Sequence, residues 1–154
     1  MYTFICYVVG SYLDGEAFTK AKRVLSEHML HDLESSSPSS VQGSYDLKDL
    51  RLASGLNFLG IALWSDHSAC GSHGHAHHHH THDHSAAEKA WTKGLEYTRP
   101  FTRLLAAADA NTRGALDDTD TLFLQATTII LDNLSQLKMA KSATKHKTGL
   151  GGSI

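Results

Sequence analysis

Apolar side chains recur at intervals of three and four residues along four long segments of this 154-residue chain. That spacing is typical of amphipathic α-helices, because 3.6 residues complete one helical turn. The segments are residues 14–34, 46–63, 85–105 and 117–141. The second is apolar almost all round towards its end, which predicts a central, buried position. The pattern predicts an all-α protein.

Residues that start or stop helices mark the ends of these segments. Pro38, within a run of serines, ends the first, since proline and short polar side chains favour turns. Asp46 is a good N-cap for the second, and Ser85 with Glu88 forms a capping-box pattern at the third. Residues 117–120 supply three aspartates, whose charge suits the positive end of the last helix.

The N-terminal residues 2–13 are rich in residues with strand propensity, such as Ile5, Tyr7 and Val8. A strand needs a partner, and no second strand-like segment is available. We therefore predict a short buried helix here, which brings the expected total to about five. The predicted domain spans residues 1–141, and residues 142–154 are predicted to form a flexible basic tail.

The composition excludes several classes of protein. Fourteen basic against 16 acidic residues give no reason to expect nucleic acid as a partner, and no apolar run approaches the roughly 20 residues needed to span a membrane. Two cysteines and the lack of a secretory signal pattern favour an intracellular, cytoplasmic setting. No glycine-rich phosphate loop or nucleophile motif is visible, so we expect no enzymatic activity.

Residues 67–84 hold nine of the 12 histidines and cannot pack a core, which predicts a loop. Neutral imidazole binds nickel, zinc and copper well. The candidate metal ligands are His73, His75, His77, His78, His79, His80, His82 and His84. A flexible run offers many equivalent ligand sets and no fixed geometry, so the alternatives are metal sensing, storage or buffering, and an incidental insertion that binds metal weakly.

The two segments that flank this loop resemble the helices of a tetratricopeptide repeat. Residues 56–63 carry the Leu59-Gly60 pair, and residues 87–95 place small Ala87 and Gly94 around the aromatic Trp91. Residues 49–53 are similar to the longer repeats of kinesin light chains. The resemblance implies antiparallel helix pairs, with the histidine-rich segment inserted into one turn. An ordinary four- or five-helix bundle is the alternative fold.

Such repeats present a concave surface to a peptide or helix of a partner, so the resemblance implies an interaction adaptor within a larger complex. Its predicted contact residues are Ser54, Asn57, Ile61 and Trp64. Two other hypotheses stay open. One is a metal-binding protein that uses the histidine-rich loop. The other is the helical regulatory region of a fungal zinc-cluster transcription factor, although the sequence contains no cysteine-rich DNA-binding motif.

Overall fold

A computed structural model of the protein describes residues 2–30, 46–66, 84–109 and 116–149. Within these ranges the chain forms five α-helices and no strand. They are α1 (Tyr2–Asp14), α2 (Phe18–Leu25), α3 (Leu47–Ser65), α4 (His84–Ala107) and α5 (Asp118–Gly149). A turn of π-helix, Ser26–Leu30, follows α2 directly. The prediction of an all-α protein with about five helices is confirmed.

Aspartate side chains cap two of the helices, as their position in the sequence predicts. The Asp46 carboxylate accepts the backbone N–H of Asp49 at 2.9 Å at the start of α3. At the start of α5, the Asp117 carboxylate accepts the N–H of Asp120 at 2.8 Å, and Asp120 accepts the N–H of Asp117 at 3.2 Å. Each bond satisfies a backbone donor that the helix itself leaves free.

Three helix ends differ from the prediction. Residues 15–17 separate α1 from α2, with Glu16 at a φ of 55°, so α2 begins at Phe18. Helix α4 begins at His84, one residue before the predicted N-cap Ser85. The Glu88 carboxylate accepts a hydrogen bond from the ammonium of Lys141. Helix α5 continues to Gly149, beyond the expected domain end at residue 141.

Helix α1 confirms the helical prediction for the N-terminal residues. Ile5 and Val9, four residues apart, are 6% and 0% exposed. Tyr12 and Leu13 pack against the same apolar core. Burial of one helical face outweighs the local preference for a strand, which is the usual outcome when tertiary contacts oppose propensity.

Consecutive helices from α2 to α5 run antiparallel, and the contacts between them give the direction. Residue 60 of α3 contacts Trp91 of α4, and residue 53 of α3 contacts Gly94 of α4. Residue numbers therefore rise along α3 in the direction in which they fall along α4. Between α4 and α5, Phe101 stacks on Phe123, and Glu88 pairs with Lys141. Helix α2 meets α3 in the same way, through an ion pair between residues 22 and 66 and a contact between residues 29 and 55.

The helices form two layers with α3 at the centre. Helices α1, α3 and α5 lie side by side, because α3 contacts both of the others. Helix α2 packs across α1 and α3, and α4 packs across α3 and α5. All four other helices therefore contact α3, whose buried positions include Leu52, Ala53 and Leu56. The central, buried position predicted for this segment is confirmed.

Candidate partner-binding surface

The centre of the α3–α4 interface is Trp91, which packs directly on the backbone of Gly60. The indole is 0% exposed. A Cβ atom added to Gly60 would lie 2.4 Å from its Nε1 atom, so only glycine allows this approach. The same Nε1–H donates to the carbonyl oxygen of Asn57 at 3.2 Å. Trp91 thus fills the space between α3 and α4 where the backbone of Gly60 comes close to α4.

Asn57 also links α3 to α5. Its Oδ1 atom accepts a hydrogen bond from the Nδ2 atom of Asn133 at 2.8 Å, and its side chain is 8% exposed. A buried amide needs such a partner, because it has lost its bonds to water. The pair therefore fixes the register between α3 and α5, through two residues that are 76 positions apart in the sequence.

We expect Asn57→Ala and Asn133→Ala each to lower the free energy of unfolding by about 1 kcal/mol, since each leaves a partly buried amide without its partner. A double-mutant cycle measured by urea unfolding should give a coupling energy of about 0.5–1.5 kcal/mol. Additive effects of the two substitutions would contradict a direct interaction in solution.

The other three predicted contact residues share the Asn57 face of α3, at spacings of three and four. Ser54 is half-buried and its hydroxyl donates to the Leu50 carbonyl at 2.9 Å. Ile61 and Trp64 are half-buried and pack against the core. The Trp64 ring meets Trp91 edge to face, with ring centroids 5.8 Å apart. Their role in binding a partner stays a prediction.

Helix α5 exposes apolar side chains on both flanks of its buried stripe, and the sequence analysis missed them. Leu122 and Ile129 precede the buried Phe123 and Ile130 and are 47% and 50% exposed. Leu124 and Leu131 follow the same positions and are 38% and 50% exposed. Positions 122–124 are all apolar, and so are positions 129–131, seven residues later. One core face of a helix requires fewer apolar residues than this, so the excess is a signal visible in the sequence.

The first flank lies beside the predicted contact residues. Ile129 is one helical turn before Asn133, and Asn133 bonds to Asn57 on α3. Helices α3 and α5 both run antiparallel to α4 and are therefore parallel to each other, so Ile129 lies level with Ser54, at the opposite end of this face from Trp64. We call this set of residues, Ser54, Asn57, Ile61 and Trp64 with Ile129 and Asn133, the α3–α5 surface.

Most of the predicted metal ligands, His73 to His82, lie outside the described residues. His84 is the first residue of α4. Within the part of the chain that the structure describes, no group of three or more histidine, cysteine, aspartate or glutamate side chains could hold a metal ion. Binding of nickel, zinc or copper by the histidine-rich segment stays a prediction.

The thiol of Cys6 in α1 has the environment of a structural cysteine. It is half-buried, and this burial raises its pKa, although the nearby Arg51 guanidinium opposes part of the rise. The thiol therefore stays protonated at neutral pH and is a weak nucleophile, because the thiolate is the reactive form.

The ion pair between Glu88 and Lys141 makes the α4–α5 contact sensitive to pH. The lysine ammonium donates to the carboxylate and lowers the pKa of Glu88 below its ordinary value of 4.5. A lowered pKa stabilises the fold above the ordinary value, and this contribution is lost as the pH falls through the folded-state pKa. Both side chains are more than one third exposed, so we expect less than about 1 kcal/mol.

An NMR titration of the Glu88 carboxyl group tests this interaction. In Lys141→Met its pKa should rise towards the ordinary value, whereas Lys89→Met, which changes an exposed lysine on α4, should leave it almost unchanged. An equal pKa in the wild type and in Lys141→Met would contradict the pairing.

Comparison with protein-family models, curated proteins and solved structures finds no match to this chain. The similarity of residues 56–63 and 87–95 to a tetratricopeptide repeat therefore rests on the sequence pattern. Among the described helices, none is both long and apolar enough to cross a membrane.

Proposed function

We propose that this protein is a non-catalytic interaction adaptor of tetratricopeptide type that binds a peptide or helix of a partner on the α3–α5 surface. The observation that carries the proposal is the layer of α1, α3 and α5, which lie side by side as the first helices of stacked repeats do. Helices α2 and α4 cover the other side of that layer. We expect the partner to be one subunit of a larger complex.

The chemistry of the α3–α5 surface supports an amphipathic partner. Ile129 exposes half of its side chain, and Ile61 and Trp64 are only half-buried. Apolar side chains at both ends of this surface, with the Asn57–Asn133 pair between them, suit a helix with apolar residues at three- and four-residue spacing or an extended segment with alternate apolar side chains. Aromatic side chains such as Trp64 contribute strongly to such interfaces.

Ile129→Glu is the most selective test of this surface. Asn57 and Trp64 contribute to packing between helices, so their replacement would change the fold as well as the surface. Ile129 is 50% exposed, and Leu131, with the same exposure on the opposite flank of α5, supplies a matched control. Both variants should melt within a few degrees of the wild type.

In pull-downs from the lysate of the source cells, the wild type should retain its partner proteins. We expect Leu131→Glu to retain the same proteins and Ile129→Glu to lose them. The charge would have to be buried without a counter-ion in the bound state, which costs more than tenfold in affinity. Quantitative mass spectrometry of the three pull-downs gives the comparison. A set of retained proteins that is the same for both variants would overturn the proposal.

A second candidate function is the binding of nickel, zinc or copper, and the density of histidines in residues 67–84 favours it. Isothermal titration calorimetry should show stoichiometric binding with a Kd below about 1 µM. Replacement of the histidines of residues 73–82 by glutamine should abolish this binding. Weak binding of several ions without a change in helicity would instead indicate an incidental insertion.

A further inference from the structure

An exposed stripe of eight residues runs along α5 at alternating spacings of four and three. All eight side chains are exposed. The stripe consists of Asp117, Thr121, Leu124, Thr128, Leu131, Ser135, Lys138 and Ser142. This is the heptad spacing with which one helix packs along another, and it covers roughly 38 Å of helix.

Charge is distributed unevenly along the stripe. Asp117, with Asp118 and Asp120 beside it, places acid at the start of the helix. Lys138 and the neighbouring Lys141 place base near its other end, with Leu124, Thr128 and Leu131 between the two charged regions. A parallel partner helix with the same sequence would set like charges against each other, whereas an antiparallel one sets acid against base.

We propose that the stripe binds the stripe of a second copy of this chain, with the two α5 helices antiparallel. In this register residue 128 of one copy faces residue 131 of the other, 124 faces 135, 121 faces 138 and 117 faces 142. Every residue thus meets a member of the same stripe, as an isologous twofold interface requires. Leu124, Thr128 and Leu131 of both copies form its centre, and the Lys138 ammonium of each lies among the aspartates of the other.

The position of the stripe in the fold favours a helix as its occupant. Helix α5 is the last of the described helices, and its buried face packs against α3 and α4. The stripe lies on the Leu124 flank, away from Ile129 and the α3–α5 surface. The proposal is therefore independent of the adaptor function, and one variant can disable either surface without the other.

Sedimentation equilibrium of the full chain over a wide concentration range tests the dimer. An apolar centre of this size predicts a weak dimer, so the wild type should pass from monomer to dimer as its concentration rises. Leu131→Glu should weaken association at least about tenfold, since it sets two carboxylates beside the twofold axis. Ile129→Glu, with the same native exposure of 50%, should change it by less than about twofold.

A charge exchange tests the direction of the two helices. Thr121→Lys sets a lysine against Lys138 of the other copy, and Lys138→Glu sets a carboxylate against the aspartates, so each variant alone should associate at least about tenfold more weakly. An equimolar mixture restores an acid–base pair and should recover affinity to within about threefold of the wild type. Fluorescence-detected sedimentation with one variant labelled measures the mixed species.

Three results would overturn the proposal. The first is a wild type that stays monomeric at every concentration. The second is a dimer that Leu131→Glu leaves intact, which would place the interface elsewhere. The third is Lys138→Glu binding the wild type more tightly than the wild type binds itself, since only a parallel pair sets the two residues at position 138 against each other.

Discussion

Replacement of Trp91 by alanine is expected to lower the free energy of unfolding by about 3–5 kcal/mol, the largest effect of any single substitution considered. The indole is 0% exposed and fills the space between α3 and α4. Truncation removes its buried area, its edge contact with Trp64 and its hydrogen bond to the Asn57 carbonyl, and leaves a cavity between the central helices. A loss of this size is a large part of the stability of a small domain.

Urea unfolding followed by circular dichroism measures the effect. Thr92→Ala, which changes the exposed neighbour of Trp91 on the same helix, should stay within about 0.5 kcal/mol of the wild type. Trp91→Phe retains much of the apolar volume and loses the N–H donor, so its effect should lie between the two. A loss below about 1 kcal/mol for Trp91→Ala would show that the indole is not buried in solution.

Gly60→Ala is expected to destabilise the protein by about 1–3 kcal/mol, although alanine is the better helix former. The added methyl group would lie 2.4 Å from Nε1, 2.5 Å from Cε2 and 2.7 Å from Cδ1 of Trp91. A rigid, fully buried ring has no free space to move into, so α3 and α4 would have to separate.

Two other glycines in the same chain give matched controls. A Cβ at Gly10 of α1 meets no atom within 4 Å, so Gly10→Ala should stabilise by about 0.5–1 kcal/mol through helix propensity alone. A Cβ at Gly55 would lie 2.4 Å from the terminal carbon of Met29, a flexible side chain that can change rotamer, so its cost should fall below that of Gly60→Ala. Equal effects at residues 10 and 60 would contradict the packing.

The sequence predicted most of the helices because their signals are local. Apolar spacing located the segments, and aspartates at positions 46 and 117 marked two starts that the structure confirms. The capping box at Ser85 and Glu88 was a wrong assignment, since Glu88 pairs with Lys141, a residue 53 positions away that no local pattern contains. The end of α5 was placed too early, at residue 141, because lysines suit a helix terminus as well as a free tail.

The surfaces were harder to predict, because they depend on which helices meet. The face of α3 with Asn57 was chosen from the repeat pattern, but its bond to Asn133 joins residues 76 apart in sequence. Nothing local distinguishes an asparagine that links two helices from one that faces solvent. The exposed apolar residues on the flanks of α5 were given no role, and only the burial of positions 123, 130 and 137 separates the core from the surface.

The central position of α3 has a consequence for the order in which the chain opens. A terminal helix such as α1 can detach by giving up its contacts with α2 and α3, whereas α3 can lose its backbone hydrogen bonds only when all four neighbours move. Local opening should therefore begin at the ends of the array and reach α3 last. The amide protons of residues such as Leu52, Ala53 and Leu56 are then the slowest to exchange with solvent, and their exchange reports the stability of the whole fold.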